Sequence, residues 1–498
     1  MMEVETDNLS WMSQRIRGGE ILKYMDGSRD FIAAADIPEK LRLARPPDGA
    51  RLRGILAKSL AIQDLTLEET AALIQVTDPD HLALMRDTAL KVKLKVYDNR
   101  IVTFAPLYLG NYCVNACAYC GFSRSNSDAR RKVLNADELK KEIAVLAGQI
   151  GHKRLIAVYG EHPRNDVDYI VESLQTIYAF QVKTRRGVGS IRRVNVNAPP
   201  FSVEDLKKIH AAGIGTYQVF QETYHQPTYE RMHPAETIKG NYLWRLYCMH
   251  RALESGMDDV GIGALFGLYD WRYELLGLVA HTQELERSLG IGCHTISFPR
   301  LVPALNSVIA PDWPYLVSDA DFQRIILIIR LAVPYTGMII TAREKAAIRD
   351  AALAMGVTQM DASSKIAIGG YADCVSAQEK TKQQFILGDE RSLDDLIRDL
   401  AARGYITSFC TAGYRCGRTG KCIMDLLRQG TEGKFCKLNA VLTFQEWLDD
   451  FASAETRRAA QPVLEQEIRE IQAKMPSAYE QFRGYYERIK NGERDLYL

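Results

Sequence analysis

The chain has 498 residues, a length that suits two or three domains or one large barrel with attachments. Hydrophobic residues make up 47% of it, which is enough to form a sizeable buried core. Its 63 basic and 62 acidic residues give a formal net charge of +1, so charge gives no reason to expect a nucleic acid or a membrane surface as a partner. The N-terminus lacks the apolar run of a signal peptide, and the most apolar stretch, residues 325–340, is interrupted by Arg330 and Pro334. We therefore expect a soluble, cytoplasmic protein.

Residues 1–100 are predicted to form an N-terminal helical extension. In LTLEETAALIQV, Thr66 is followed three residues later by Glu69, the pattern of a capping box at a helix start. Residues 79–97 carry apolar side chains at helical spacing.

Between residues 101 and 374, short apolar runs alternate with amphipathic helical stretches. The runs predicted as strands are IVTFAPLYL, RLIAVYGE, IRRVNVNA, TYQVFQE, DDVGIGALFGL, HTISFPR, GMIITAR and TQMDASSKIAIGGY. Alternation of strand and helix is typical of a parallel sheet with crossover helices. Eight such units predict an α/β fold, a closed (β/α)8 barrel of TIM type.

In such a barrel, the reacting groups lie at the C-terminal ends of the strands. The polar residues at these predicted ends are Glu161, Asn195, Asn197, Glu222, Arg300 and Arg343. The remaining residues, 375–498, are predicted to form a mainly helical C-terminal domain that contains a loop rich in glycine and cysteine.

Ten cysteines in a chain of this length do not indicate a disulfide framework, which is typical of small secreted domains. Two short regions, 113–120 and 410–422, hold six of the ten, and Cys436 follows the second region. The isolated Cys248, Cys293 and Cys374 are expected to be buried as small hydrophobic side chains.

Cys113, Cys117 and Cys120 follow the first predicted strand with the spacing Cys-x3-Cys-x2-Cys. Three thiolates can bind three irons of a [4Fe–4S] cluster and leave the fourth iron open to a cofactor or a substrate. The alternative, a structural zinc site, generally uses paired Cys-x2-Cys elements and four ligands. The spacing, with the aromatic Tyr119 before the last cysteine, resembles that of radical S-adenosylmethionine (SAM) enzymes.

Gly160 and Glu161 end the second predicted strand, where radical SAM enzymes carry a Gly-Gly-Glu-like turn. The resemblance implies that the backbone here and the carboxylate of Glu161 contact the ammonium group of SAM. The alternative is an ordinary turn between a strand and a helix.

Longer motifs make the resemblance more specific. In chain order they are YGEHP, RRVNVNAPP, GIGTYQVFQETYHQPTYERMHP, DDVGIGALFGLYD, HTISFPR and NAVLTFQEWLDDFAS. Together they resemble the HydG family, the radical SAM tyrosine lyases that mature [FeFe]-hydrogenase, over about residues 50–455. The tyrosine lyases of the thiamine pathway share the barrel half of this pattern but lack the C-terminal cysteine domain.

The resemblance implies a reaction sequence. A low-potential electron donor reduces the first cluster, and SAM is split into methionine and a 5′-deoxyadenosyl radical. Hydrogen abstraction from the amino group of L-tyrosine then leads to cleavage of the Cα–Cβ bond, which gives p-cresol and dehydroglycine. Dehydroglycine is converted to CO and cyanide at a second iron–sulfur cluster, for assembly of the H-cluster together with other hydrogenase maturation proteins.

The resemblance also implies roles for individual residues. Asn197 and Glu222 would face the SAM ribose or the substrate, and Tyr119 would belong to the cofactor site. Where the family usually has Ser-Thr-Arg, this chain has Thr341-Ala342-Arg343, and the hydroxyl and guanidinium groups would hold the tyrosine carboxylate. Arg300 is a further candidate catalytic residue. The alternative for Arg343 is a structural ion pair.

The C-terminal motif of the family, Cys-x2-Cys-x22-Cys, is altered in this chain. Cys410 and Cys436 match it, but Gly413 occupies the middle position. Either Cys416 or Cys422 supplies a third thiolate after the glycine-rich loop rearranges, or the second cluster is absent or different.

The resemblance implies that His281 binds an extra iron beside the second cluster. A histidine within an amphipathic helix is, however, more often simply packed and hydrogen-bonded.

Three functions are therefore open: a HydG-type tyrosine lyase with a second cluster, a tyrosine lyase that stops at dehydroglycine, and a non-catalytic iron–sulfur carrier or scaffold. The cysteine triplet with Glu161 and Arg343 favours an enzyme, because a carrier needs neither a SAM pocket nor a tyrosine pocket.

Overall fold

The structure, a computed structural model, describes residues 11–302, 309, 312–373, 383–429 and 432–498, with only the backbone for residues 432–435. Cys374 and the predicted domain boundary that follows it lie outside the described residues, so the division of the chain at that point stays a prediction. Within the described ranges, no helix has the length and apolar character needed to cross a membrane.

The N-terminal region is helical. Its helices are α1 (Gly19–Leu22), α2 (Phe31–Ala34), α3 (Ile37–Leu43), α4 (Gly49–Leu60), α5 (Leu67–Ile74) and α6 (Pro79–Tyr97). At the start of α5, the backbone N–H of Glu69 donates to the hydroxyl of Thr66, and the backbone N–H of Thr66 donates to the carboxylate of Glu69. The predicted capping box is thus present, and it satisfies two N–H groups that the helix itself leaves unpaired.

Among the described strands, eight form a closed parallel barrel and two form a separate antiparallel sheet. In chain order they are β1 (Arg100–Gly110), β2 (Arg154–Tyr159), β3 (Gln181–Lys183), β4 (Val188–Ser190), β5 (Arg193–Asn197), β6 (Tyr217–Gln218), β7 (Val260–Gly263), β8 (Thr295–Ser297), β9 (Gly337–Ile340), β10 (Gln359–Asp361) and β11 (Ile406–Ser408). The parallel order is β1-β2-β5-β6-β7-β8-β9-β10, and β10 pairs again with β1, with Gln359 opposite Val102. The predicted (β/α)8 barrel is confirmed.

Helices surround the barrel in the predicted alternation. They are α7 (Ala136–Val145), α8 (Val167–Ala179), α9 (Val203–Ala211), α10 (Gln226–Met232), α11 (Tyr242–Leu246), α12 (Cys248–Glu254), α13 (Trp271–Leu289), α14 (Asp319–Ala332) and α15 (Ala346–Leu353). Asn135, Ser202 and Ser318 cap three of these helices, and each side chain accepts a backbone N–H from the first helical turn. The helical stretch over residues 242–254 is divided at Tyr247 into α11 and α12.

Alternation along the strands separates two apolar layers. Leu155 and Ala157 of β2 pack outward among the helices, in the main core. Ile156 and Val158 point to the other side and form a smaller cluster inside the barrel, against which Cys113 packs. The strand period of two therefore places the first cysteine loop over an apolar barrel interior.

The C-terminal region is mainly helical and joins the barrel at its base. Its helices are α16 (Leu393–Ala402), α17 (Ala412–Arg415), α18 (Gly420–Arg428), α19 (Glu432–Asp450), α20 (Ala454–Lys474) and α21 (Pro476–Lys490). Strand β11 pairs in parallel with the first residues of β1, with Ile406 opposite Arg100. The loop that contains Cys410 therefore lies at the end of the barrel opposite the C-terminal strand ends.

Candidate functional site

The first cysteine loop follows β1 and lines a pocket at the C-terminal end of the barrel. Cys117 is buried, and Cys113 and Cys120 are half-buried in the same pocket. Burial raises the pKa of Cys113, and it raises the pKa of Cys117 to about 12. The metal-free thiols of Cys113 and Cys117 are therefore protonated at neutral pH, and metal binding at these two positions must release protons.

The donor set of this loop fits an iron–sulfur cluster. Within the described residues, no three metal-ligating side chains converge on a single ion, whereas the three thiolates of a cluster each bind a different iron. N–H groups also approach the sulfurs: the backbone N–H of Phe122 donates to Sγ of Cys120 at 3.4 Å, and Nδ2 of Asn115 lies 3.7 Å from Sγ of Cys113. Such hydrogen bonds stabilise thiolate sulfur and tune the cluster it binds.

The loops after β1 and β2 are held together by their backbones. The N–H of Val114 donates to the carbonyl of Glu161 at 2.8 Å, and the N–H of Gly160 donates to the carbonyl of Gly110 at 2.9 Å. A Cβ atom on Gly160 would lie only 2.3 Å from the carbonyl oxygen of Tyr112. Glycine at this position therefore permits the close approach that brings Glu161 beside the cysteines.

Glu161 is buried in this pocket with one free oxygen. Its Oε2 accepts a hydrogen bond from Nδ2 of Asn115 at 2.7 Å, and its Oε1 has no partner among the described residues. Burial raises the pKa of this carboxyl group above its ordinary value. An unpartnered buried carboxylate oxygen is unfavourable, and a cationic amino group satisfies it. The arrangement fits the ammonium group of SAM.

Glu222 lies in the same pocket with two cations beside it. Its Oε1 is 2.7 Å from Nζ of Lys239 and 3.2 Å from Nη2 of Arg245. Burial raises the pKa of Glu222, but Lys239 and Arg245 outweigh that effect and hold the pKa below its ordinary value. Asn197, at the end of β5, lines the pocket beside this group.

Tyr119 is fixed by a buried histidine. Nδ1 of His233 faces the carbonyl of Tyr229 at 2.8 Å, so it carries the ring proton, and Nε2 accepts from the hydroxyl of Tyr119 at 2.9 Å. The ring of Tyr119 lies 5.5 Å from Nζ of Lys239. These contacts orient the aromatic side chain that precedes the last cysteine of the loop.

Arg343 completes the pocket on the β9 side. Its guanidinium carbon lies 3.7 Å from the centre of the Phe385 ring, and its Nε is buried without a partner among the described residues. A buried guanidinium with a free N–H suits an anionic group such as a carboxylate.

Three other candidate residues, Thr341, Arg300 and Asn195, do not line this pocket. Thr341 follows β9 directly, but it is not among the lining residues. Arg300 pairs with Glu344 at 2.7 Å and with Asp319 at 2.6 Å, so its guanidinium is engaged in ion pairs. Asn195 points into the barrel interior, where its Oδ1 accepts the N–H of Thr216 at 3.1 Å.

A second, smaller pocket lies in the C-terminal region. Cys410, Gly413 and Cys436 line it together with Ser408, Thr411, Ala412, Asn439 and Thr443. Cys416 and Cys422 are exposed and are not among these lining residues. The two thiols of this pocket fit a [4Fe–4S] cluster poorly, because such clusters are held by three or four cysteines.

Cys416 contacts a different part of the chain. Its Sγ lies 3.7 Å from the backbone carbonyl of Leu498. A Cβ atom on Gly413, by contrast, would meet no atom of the described residues closer than 3.7 Å, the distance to the carbonyl oxygen of Arg418. The backbone at position 413 therefore has room for a side chain.

The structure does not bring His281 to the second pocket. Its Nδ1 lies 3.0 Å from the hydroxyl of Tyr224, and its ring packs 5.0 Å from that of Phe31 in the N-terminal region. Burial lowers the pKa of His281 to about 3. A different histidine, His294, lies near the second pocket, with its Nε2 3.5 Å from the hydroxyl of Tyr414.

Sequence reasoning missed several residues of the first pocket. They are Asn115, Lys239, Arg245, Gln384 and Phe385. Asn115 stands between two of the predicted ligands, which was a usable signal. Gln384 and Phe385 are distant in sequence from any motif, and nothing in the sequence indicated that they reach the pocket.

Comparisons with known proteins agree with this geometry. Residues 107–275 match the radical SAM superfamily, and residues 297–406 match the Biotin and Thiamin Synthesis associated domain. A 2-iminoacetate synthase of Salmonella typhimurium is 29% identical over 349 residues, which is 70% of this chain and 87% of that protein.

Two solved structures resemble the whole chain. One is described as HydG, a maturase of the [FeFe]-hydrogenase; it is 43% identical with a TM-score of 0.88, and the match covers 94% of this chain and all of that one. The other, the FeFe-hydrogenase maturase HydG from Carboxydothermus hydrogenoformans, is 34% identical with a TM-score of 0.76, over 92% of this chain and 98% of that one.

The barrel, the three-cysteine loop at its C-terminal end and the superfamily match define a radical SAM enzyme. Identity of 43% across nearly the full length then decides the family within that class. The chain belongs to the HydG family.

Proposed function

We propose that this enzyme is a tyrosine lyase that cleaves the Cα–Cβ bond of L-tyrosine to p-cresol and dehydroglycine. The observation that carries the proposal is the content of one pocket: the three thiols, a carboxylate oxygen of Glu161, and a buried guanidinium N–H of Arg343, the last two without a partner among the described residues. A cationic amino group and a carboxylate are the groups that these two side chains would bind.

Each side chain has a task in this proposal. With the cluster bound at the three cysteines, SAM would supply a 5′-deoxyadenosyl radical. Glu161 would hold the SAM amino group, and Arg343 would hold the tyrosine carboxylate in the register that presents the substrate amino group for hydrogen abstraction. Asn197 and Glu222, which line the pocket, would assist in binding. Substrate and cofactor bound in the pocket would keep water and other hydrogen donors away from the radical.

Membership of the HydG family extends the proposal to later steps. Dehydroglycine would be converted to CO and cyanide in the C-terminal region, for assembly of the [FeFe]-hydrogenase H-cluster. A low-potential electron donor and other hydrogenase maturation proteins would then be partners. These steps need a second cluster, for which Cys410 and Cys436 supply two thiols.

A second candidate function ends at dehydroglycine, which is also called 2-iminoacetate. The observation that favours it is the second pocket, where Gly413 stands in place of a thiol and Cys416 faces Leu498. A carrier or scaffold is favoured by no such observation, since it needs no side chains for an amino group and a carboxylate beside its cluster.

Anaerobic reconstitution tests the proposal. The full chain and its Cys117→Ala variant are loaded with iron and sulfide, given SAM, dithionite and tyrosine, and assayed for 5′-deoxyadenosine, p-cresol and CO. We expect both 5′-deoxyadenosine and p-cresol from the wild type and neither from the variant, because two thiolates do not hold the site-differentiated cluster. Formation of 5′-deoxyadenosine without p-cresol would refute the tyrosine lyase, and p-cresol without CO would select the second candidate function.

A further inference from the structure

Residues 384–389, called the bridge segment below, connect the cysteine loop with the loop that carries Arg343. At one end, the N–H of Gly121 donates to the carbonyl of Gln384 at 3.1 Å. At the other end, the N–H groups of Gly388 and Asp389 donate to the carbonyl of Ala342 at 2.8 and 3.0 Å. One short stretch of backbone is therefore attached directly beside a cluster ligand and directly beside Arg343.

The side chain of Gln384 reaches a cluster ligand. Its Nε2 lies 3.7 Å from Sγ of Cys120, and its Oε1 accepts a hydrogen bond from the hydroxyl of Tyr108 at 3.1 Å. Tyr108 is buried on the inward face of β1. Because the hydroxyl of Tyr108 holds the amide oxygen, the amide N–H is directed at the sulfur.

The next residue reaches the proposed substrate group. The ring of Phe385 stacks on Arg343, with 3.7 Å between the ring centre and the guanidinium carbon. A carboxylate bound to Arg343 would neutralise its charge and fix its plane, and the stacked ring would follow that plane. Any such shift passes through one peptide unit to Gln384.

We propose that Gln384 is a positioning residue that raises the reduction potential of the cluster bound at Cys120, and that Phe385 makes this effect respond to the carboxylate of the substrate on Arg343. Hydrogen bonds to cluster sulfurs stabilise the additional negative charge of the reduced state, so a donor raises the potential and its removal lowers it. The response of the potential to substrate rests on the proposed function, whereas the hydrogen bond from Gln384 to Cys120 does not.

Redox titration of the reconstituted full chain tests this proposal, with EPR detection of the reduced cluster, in the absence and in the presence of tyrosine. Gln384→Leu keeps the shape of the side chain and removes the N–H donor. We expect a lower potential without tyrosine, an unchanged iron content and loss of the shift that tyrosine produces in the wild type. Phe385→Leu is expected to keep the wild-type potential without tyrosine and to lose the shift alone.

An unchanged potential in Gln384→Leu would overturn the proposal. If Gln384→Leu fails to retain its cluster, Tyr108→Phe is the deciding variant. It removes the hydroxyl that holds the amide oxygen of Gln384, so the amide can turn its oxygen toward the sulfur. A potential equal to that of the wild type would then overturn the proposal. If the wild type shows no shift with tyrosine while Gln384→Leu still lowers the potential, the coupling through Phe385 is refuted and the role of Gln384 stands; p-cresol formation by the same preparation tests the tyrosine substrate separately.

Discussion

Asn115 donates from Nδ2 to Oε2 of Glu161 over 2.7 Å, and its Oδ1 accepts the backbone N–H of Lys239 at 2.9 Å. The second contact fixes the orientation of the amide, so that its N–H must face the carboxylate. Asn115 stands between Cys113 and Cys117 in the chain. The loop that supplies the cluster ligands therefore also orients the carboxylate of Glu161, which we propose binds SAM. The same loop would thus position both the cluster and SAM.

Glu161→Gln is predicted to weaken SAM binding by about 10- to 100-fold. The substitution keeps the hydrogen-bonding shape but removes the charge, and a hydrogen bond to a charged group contributes about 1.5–3 kcal/mol. Equilibrium binding of SAM to the reconstituted protein measures the effect. Glu236→Gln, at an exposed acid that pairs with Arg124, is the matched control and should bind SAM as the wild type does.

As the pH is lowered, SAM affinity is predicted to begin to fall at a higher pH than an exposed glutamate would give. Burial raises the pKa of Glu161, and the carboxylate is lost as the pH drops below that pKa, so the loss begins at a higher pH than for an exposed glutamate. Binding isotherms over a pH series give the profile. A profile in Glu161→Gln that matches the wild type would show that another group controls it.

Arg343→Lys is predicted to raise the tyrosine dissociation constant by roughly 10-fold or more and to leave SAM binding unchanged. Lysine keeps the charge but loses the planar pair of donors that matches a carboxylate. Arg300→Lys is the matched comparison, because Arg300 already pairs with Glu344 and Asp319, and it should leave tyrosine affinity unchanged. The reverse result would assign the carboxylate to Arg300.

The barrel was predictable because its signals are local. Each strand and helix has its own apolar period, and caps such as Asn135 and Ser318 mark helix starts. The strand β11 was missed, because it lies beyond the alternating strands and helices of the barrel and depends on its pairing with β1.

The first pocket was predictable only in part. Cys113, Cys117, Cys120 and Glu161 follow strand ends, and fold topology alone brings them together. Arg300 follows a strand end equally well, yet its guanidinium pairs with Glu344, a choice made by side-chain packing that spacing does not encode. His281 illustrates the same limit, since the sequence did not indicate that it faces Phe31.

Glu446→Gln is predicted to destabilise the fold by about 3–5 kcal/mol. Glu446 of α19 is buried and pairs with Lys153 at 2.7 Å and with Arg192 at 2.5 Å, both at the base of the barrel. Replacement of the carboxylate by a neutral amide would leave the buried cations Lys153 and Arg192 without the anion that they share. Thermal and denaturant unfolding measure the loss, and Glu455→Gln, at an exposed site, is the control.

The stabilisation that Glu446 contributes to the fold should decrease as the pH falls. Burial raises its pKa, but Lys153 and Arg192 outweigh that effect and hold the pKa well below its ordinary value. A carboxyl group with a depressed pKa contributes fully above the pKa of the unfolded state, about 4.3, and loses its contribution as the pH falls toward the folded pKa. The difference between wild type and variant should therefore shrink below about pH 4, and a constant difference would contradict this assignment.

Under the second candidate function, in which the native chain binds one cluster, Gly413→Cys is predicted to increase the iron bound after reconstitution from roughly four atoms toward eight. Position 413 lies in a helical turn beside Cys410 and Cys436, and a Cβ there meets no described atom closer than 3.7 Å, so the new thiol fits the second pocket. Cys416→Ala should leave the iron content unchanged, because Sγ of Cys416 faces the carbonyl of Leu498. Iron and sulfide analysis with EPR measures both. If the wild type already binds about eight irons and Cys416→Ala removes half of them, the loop rearranges to use Cys416 as the third ligand, and the site accommodates the second cluster without residue 413.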